Sequence, residues 1–253
     1  MSISLHHIRH ATSILTFNQK RLLIDPMLSD VGQLAPVPFT RNYRKNPLTP
    51  LPVALNSFEN IDAILLTHRH FDHWDKKAIA VLNKDIPVIC QPRDARAVQS
   101  AGFINVISVE DCYEWQGIQI KRIQGSHAPG LTGKLLGPVS SFFLHTATEG
   151  SIFILSDCIF TPNIAQAFRE LMPEVAILNV AEAEMLWGTV ITMQREDIAR
   201  IAQLSPRTKL VVVHLETINH CKLSRAQLTG YLKEQQLEHA VTMPNDGETL
   251  LLY

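Results

Sequence analysis

The apolar run Ala63-Ile64-Leu65-Leu66 leads directly into Thr67-His68-Arg69-His70-Phe71-Asp72-His73, which sets three imidazoles and a carboxylate within six positions. Packing alone does not account for such a density of ligand types. Histidine is the commonest metal ligand, and aspartate terminates or bridges divalent ions. A buried strand ending in polar ligands places them at the edge of a sheet, where open α/β folds bind their ligands. The cluster therefore predicts a metal centre, with two ions expected. In extended geometry alternate residues share a face, so His68, His70 and Asp72 are expected to point together, with His73 following as the chain turns.

The rest of the chain suits a soluble enzyme. A length of 253 residues allows a large core, and 46% hydrophobic with 19% charged residues describes a folded chain rather than a disordered one. The net charge of −1, with no long run of either sign, argues against nucleic acid as a partner. The start, Met1-Ser2-Ile3-Ser4-Leu5-His6-His7, lacks a cationic stretch followed by an apolar one, so no signal peptide is expected. No apolar run is long enough for a membrane span. Cys90, Cys112, Cys158 and Cys221 form no Cys-x-x-Cys and read as free thiols in a reducing cytoplasm.

Short strands are expected at 3–8, 13–17 and 21–24. Residues 26–60 then hold six of the fourteen prolines and read as a long irregular segment, either a lid or a plain surface excursion. From Ile61 strands and helices alternate. Strands are expected at 63–67, 87–90, 105–109, 118–123, 139–146, 151–156, 175–180 and 209–213. Helices are expected at 76–83, 94–101, 162–171 and 195–204. Ser224-Arg225-Ala226-Gln227 has capping-box form before a helix reaching Gln236, and strands at 240–243 and 248–252 close the chain. No linker or repeat divides the sequence, so one domain over 1–253 is expected. Its periodicity fits two packed sheets with helices outside and equally a three-layer α/β fold.

The order His-x-His-x-Asp-His resembles the metal-binding signature of the metallo-β-lactamase superfamily. Further pieces follow in the order that superfamily uses: Gly125-Ser126-His127, then Leu155-Ser156-Asp157 after Ser151-Ile152-Phe153-Ile154, then His214 after Leu210-Val211-Val212-Val213. The resemblance implies a four-layer αββα sandwich. It assigns His68, His70 and His127 to a first metal, Asp72, His73 and His214 to a second, and Asp157 to a bridge between them. It also implies a metal-dependent hydrolase in which a metal-bound hydroxide attacks a carbonyl carbon or a phosphorus, with Asp72 also holding the nucleophile. Zinc, manganese or iron all suit His and Asp ligands, with zinc or manganese favoured.

Within the superfamily the pattern is most similar to bacterial members related to the ascorbate-6-phosphate lactonase and to phospholipase D-like hydrolases of N-acyl phosphatidylethanolamine. His10, in Arg9-His10-Ala11-Thr12, resembles a histidine near the metal site of those members and is a candidate donor to a substrate oxygen. His220 is a candidate pocket residue, and Glu216 is a candidate for orienting a ligand imidazole. Arg41, Tyr43, Arg44 and Lys45 are candidates for meeting an anionic substrate. Cys158 is expected not to ligate, because it should face away from Asp157. His70 stands where the di-iron oxygen-reducing branch has Glu, which counts against that branch.

The chain departs from the pattern at Ala128, where related sequences often carry Gly, and at Val180-Ala181-Glu182-Ala183-Glu184, where they carry small residues. A Glu182 facing the pocket would disfavour an anionic substrate, so the phosphate-bearing substrate of the lactonase relative is not carried over. Lactone or ester cleavage and phosphodiester cleavage of a small molecule both stay open. The competing readings are a mononuclear iron oxygenase on the same fold, like the persulfide dioxygenases, and a binding protein with a vestigial site. A homo-oligomer is compatible with the lactonase resemblance.

Overall fold

Three antiparallel strands open the chain: β1 (Ser4–Arg9), β2 (Thr12–Phe17) and β3 (Lys20–Ile24). They belong to a computed structural model that describes residues 3–252; Met1, Ser2 and Tyr253, which the expected domain over 1–253 includes, lie outside the described residues. After a 3-10 turn at Leu55–Phe58 come β4 (Ala63–Leu66), α1 (Lys76–Val81), β5 (Val88–Cys90), α2 (Pro92–Ser100) and β6 (Val106–Ser108). The second half runs β7 (Cys112–Trp115), β8 (Ile118–Ser126), α3 (Gly130–Leu136), β9 (Pro138–Thr146), β10 (Gly150–Ile154) and α4 (Pro162–Leu171). It continues with β11 (Val175–Asn179), α5 (Arg195–Leu204), β12 (Lys209–Val213), α6 (Arg225–Glu234), β13 (Val241–Thr242) and β14 (Thr249–Leu251).

Two seven-stranded sheets result, in the orders β14-β1-β2-β3-β4-β5-β6 and β13-β12-β11-β10-β9-β8-β7. The two-residue period of the strands decides the layering. In β4, Ala63 and Leu65 join Leu15, Phe17, Phe142, Ile154 and Val211 in the core between the sheets. Ile64 and Leu66 point the other way, against Ala78 and Leu82 beside α1 and Val98 of α2. The second sheet repeats this arrangement. Ile177 and Val213 face the central core, while Leu178 and Val212 pack against Ile164 and Phe168 of α4, Ile198 of α5 and Leu228 of α6. Each buried Leu or Ile contributes about 1.5–3 kcal/mol. The result is the αββα sandwich. Among the described residues no helix is long and apolar enough to cross a membrane.

Two elements have no counterpart among the expected ones, β7 and α3. Cys112–Trp115 is mostly exposed and lacks an apolar alternation that would mark it. In α3, Gly130 and Gly133 lower the intrinsic helix propensity. Gly133 is needed there, because a Cβ at that position would lie 2.0 Å from the Ala128 carbonyl oxygen. The proline-rich segment is tied down rather than loose. The fully buried guanidinium of Arg9 donates to the carbonyls of Met27, Ser29 and Thr49.

Candidate metal centre

β3 to β6 run parallel, as do β10 to β13, so their carboxyl ends collect along one edge of the sandwich. Asp25 follows β3, His68 follows β4, His127 follows β8, Asp157 lies just past β10, Asn179 ends β11 and His214 follows β12. His10 stands at the corner between β1 and β2. Three of these residues hold left-handed backbone angles without being glycine: His10 (φ 57°), Asp25 (φ 43°) and His214 (φ 73°). Each costs on the order of 1 kcal/mol, and such strain concentrates where the surrounding structure forces a side chain into a working position.

The donors form two principal groups, and atoms of Asp25, His68 and His73 also lie within 4.8 Å of one another. In the first, atoms of His68, His70 and His127 lie within 4.8 Å of one another. His68 Nδ1 faces the hydroxyls of Thr67 (3.0 Å) and Ser156 (3.2 Å). That leaves His68 Nε2 buried without a hydrogen-bond partner, as is His127 Nε2. In the second group, His10, Asp72, His73 and His214 meet the same 4.8 Å limit. Asp157 Oδ2 lies 3.1 Å from His73 Nε2 and 2.9 Å from His214 Nε2, and those two nitrogens are 3.3 Å apart. The other oxygen, Asp157 Oδ1, accepts from Asn179 Nδ2 at 2.8 Å.

His73 Nδ1 donates to Asp25 Oδ2 at 2.8 Å. An ionised carboxylate only accepts, so the ring proton sits on Nδ1 and Nε2 is the atom free to ligate. Two imidazole nitrogens and a carboxylate oxygen at about 3 Å separations need a shared cation, either a proton or a metal. Protonation takes up that role when no ion is bound. Burial opposes a charge on His73, yet Asp157, Asp72 and Asp25 together outweigh it and hold its pKa well above the usual range. Burial likewise opposes ionisation of Asp72 and Asp157, but the surrounding imidazoles keep both well below the usual carboxylate range. Burial pushes His127 down to about 3 and holds His68 well below normal, so both stay neutral and keep lone pairs for a ligand. The orphaned nitrogens and the imidazole–carboxylate donor set fit divalent metal ions.

The motif does not stay extended as expected. Past His70 the chain turns, with the backbone N–H groups of His73 and Trp74 both donating to the His70 carbonyl. His68 and His70 therefore serve one group, while Asp72 joins His73 in the other. Asp75 ends the turn: its side chain caps α1 by accepting from Ala78 N, and it also accepts from Ser29 N.

A cavity of about 170 Å³ opens onto both groups, lined by His70, Asp72, His127, Asp157 and His220 together with Val37, Pro38, Phe71, Leu136, Met185, Ile191 and Thr192. His220 thus lines the pocket, and its Nδ1 has no partner. His10 does not line it. Its ring is wholly buried and tilted 40° against His214 with centroids 3.6 Å apart, and its Nε2 faces Asp72 Oδ2 at 3.3 Å. That geometry aims the Nε2 edge at the Asp72 carboxylate rather than into the cavity.

Other expectations are corrected by pairing. Glu182 does not face the pocket, because Arg195 binds both of its carboxylate oxygens. Glu216 does not orient an imidazole; it accepts from the backbone and guanidinium of Arg225 at the start of α6. Arg41, Tyr43, Arg44 and Lys45 are exposed and do not line the cavity. Cys158 packs in the apolar layer under α4, where burial pushes its thiol up to about 12. The sequence alone does not single out Asp25 or Asn179. Asp25 is marked only by an Asp-Pro pair closing a buried strand, and Asn179 only by a polar residue ending an apolar one.

Comparison with known proteins agrees with this geometry. The family profile described as Beta-lactamase superfamily domain matches residues 20–215. The UPF0173 protein YddR of Bacillus subtilis (strain 168) is 32% identical over 251 residues, covering 98% of this chain and 99% of its own. The crystal structure of a possible metal-dependent hydrolase from Veillonella parvula superposes with a TM-score of 0.96 at 30% identity, over 99% of this chain and 100% of that one. An isothiocyanate hydrolase from Delia radicum gut bacteria gives a TM-score of 0.94 at 31% identity, over 98% of each chain.

Proposed function

Because the chain belongs to the β-lactamase superfamily, we propose that it is a metal-dependent hydrolase that holds two divalent ions and cleaves a small, uncharged carbon electrophile with an apolar body. The observation that carries this reading is the cavity itself: it opens onto both donor groups, its other walls are mainly apolar, and no lysine or arginine is among the described residues lining it. Bound ions would take up a phosphodiester's charge at the reacting centre, but no cationic side chain on these walls assists them. The lactone, ester or comparable carbon centre is therefore preferred, and an isothiocyanate is the first candidate because a full-length relative bears that activity in its name.

In this reading His68, His70 and His127 hold one ion, Asp72, His73 and His214 the other, and Asp157 is shared between them. Ions bound there supply a water of lowered pKa and Lewis-acid polarisation of the substrate. The protein supplies the aim. Asp25 fixes the His73 tautomer, the Thr67 and Ser156 hydroxyls orient His68, Asn179 orients Asp157, and His10 braces Asp72. His220, neutral because burial holds it at about 4, presents its ring to the substrate as a hydrogen-bonding partner.

The test is turnover by protein reconstituted with zinc, manganese or iron, against an arylalkyl isothiocyanate, a γ-lactone, a carboxyl ester and an activated phosphodiester. Hydration of an isothiocyanate releases a primary amine and carbonyl sulfide, and the amine is readily measured. Metal-dependent turnover of uncharged carbon electrophiles, lost in Asp72→Ala, is expected. Preferential turnover of the phosphodiester would overturn the substrate assignment.

A further inference from the structure

The geometry points to Asn219 as a positioning residue that clamps one wall of the cavity and so sets the size of the group the cavity accepts. This inference rests on the reading of that cavity as the substrate site.

Asn219 is buried, and its side-chain amide uses its whole hydrogen-bonding capacity on one segment of chain. Oδ1 accepts from Val37 N (2.9 Å) and from Asn46 Nδ2 (2.9 Å). Nδ2 donates to Thr40 Oγ1 (3.0 Å) and to the Asn42 carbonyl. The Asn219 backbone N–H donates to Asn46 Oδ1 at 2.8 Å, so the attachment runs in both directions. The segment it holds is a closed loop, because Leu34 and Asn46 exchange backbone hydrogen bonds at its base. The amide of Asn219 occupies the inside of that loop, bonding to backbone and side-chain groups at positions 37, 40, 42 and 46.

Three residues tie this clamp to the pocket. Val37, held directly by Asn219, and Pro38 beside it form one wall. His220, the next residue after Asn219, lines another. A further wall is Met185, Ile191 and Thr192, from the segment that follows β11. Outside the pocket the two walls touch through Leu186 N donating to the Phe39 carbonyl (2.8 Å) and through the Phe39 and Trp187 rings, 5.9 Å apart. Those rings are 60% and 57% exposed, so their contact is solvated and weak compared with the buried amide. The metal-facing donors sit on strand ends that Asn219 does not touch. The clamp therefore acts on the group that does not react, by fixing the distance between the walls.

The experiment compares Asn219→Ala and Thr40→Val with the wild-type chain, all metal-loaded. Three readouts are taken: hydrogen exchange at the Val37 amide, acrylamide quenching of tryptophan fluorescence, and KM and kcat for a short alkyl and a long arylalkyl isothiocyanate. Trp74 and Trp115 are buried, so quenching reports Trp187. In Asn219→Ala, Val37 exchange is expected to accelerate on the order of ten-fold, as for a half-buried N–H losing its acceptor. Trp187 should become more quenchable, and the ratio of KM values for the long and short substrates should change several-fold while kcat values stay close. Thr40→Val, lacking one bond of the clamp, should shift each readout less. Unchanged Val37 exchange and quenching in folded Asn219→Ala would overturn the clamp, as would an equal fall in kcat for both substrates with no change in their KM ratio. If Asn219→Ala does not fold, Thr40→Val decides by the same readouts. If the wild-type chain turns over neither substrate, the isothiocyanate assignment fails, while exchange and quenching still decide the clamp.

Discussion

In the proposed two-ion centre, replacing Asp25 by Asn should weaken the second ion without emptying the first. Asp25 is almost fully buried and accepts three hydrogen bonds: from Thr67 N (2.8 Å), Thr67 Oγ1 (2.6 Å) and His73 Nδ1 (2.8 Å). Asparagine matches its shape but must turn an NH2 toward one side. Facing His73, that NH2 demands a lone pair on Nδ1 and drives the ring proton to Nε2, the atom that points at Asp157 and His214. Facing Thr67 N, it sets donor against donor in a buried place, a cost of about 1–3 kcal/mol. Disrupting a partner behind a metal ligand typically lowers affinity about 10–100-fold, or about 1.4–2.7 kcal/mol. Competition against a chromogenic chelator measures both ions. His68, His70 and His127 make no hydrogen bond to Asp25, so binding at that group serves as an internal control. Two sites of unchanged affinity in a folded Asp25→Asn protein would refute the argument that Asp25 sets the His73 tautomer.

Three further outcomes are expected. Gly133→Ala places a methyl 2.0 Å from the Ala128 carbonyl oxygen; it should destabilise the fold by about 1–3 kcal/mol and displace the neighbouring His127, seen as a lower melting temperature together with lost metal. Stripping the ions should also lower the melting temperature, since ligands at about 1,000-fold over Kd stabilise the native state by about 4 kcal/mol, and identical melts with and without chelator would contradict a metal centre. The metal-free protein should lose stability as pH falls below about 6.5. Burial holds His127 at about 3 and His220 at about 4, and holds His10 and His68 well below normal, so the unfolded chain binds more protons in that window. Each excess proton contributes a slope of about 1.4 kcal/mol per pH unit. His73 acts oppositely: its raised pKa gives stability present below 6.5 and lost as pH rises through the folded value. Urea unfolding at pH 7 and pH 5 separates the two, with greater stability at pH 5 counting against the buried neutral imidazoles.

Much of the frame was legible because it is written locally. An apolar run with β-branched residues marks Leu210–Val213 as a buried strand, Pro at the first turn marks α4, and Ser224 with Gln227 forms the capping box before α6. The seven residues assigned to metal by resemblance do converge, because strands running parallel in a sheet must deliver their carboxyl ends to the same edge. Periodicity by itself left two layerings open; the sharing of one core by both sheets decided between them.

What tertiary structure alone decided lies between residues far apart in the chain. The turn after His70 parted Asp72 from His68, although a strand period had grouped them. Asp25 reaches His73 across 48 positions, and Asn219 reaches Val37 across 182. Glu182 and Glu216 look available in the sequence, but Arg195 and Arg225 occupy them in the fold. A local pattern encodes which face of a strand or helix a residue occupies. The partner it meets there depends on how the sheets stack and where the loops return, and no window of sequence contains that information.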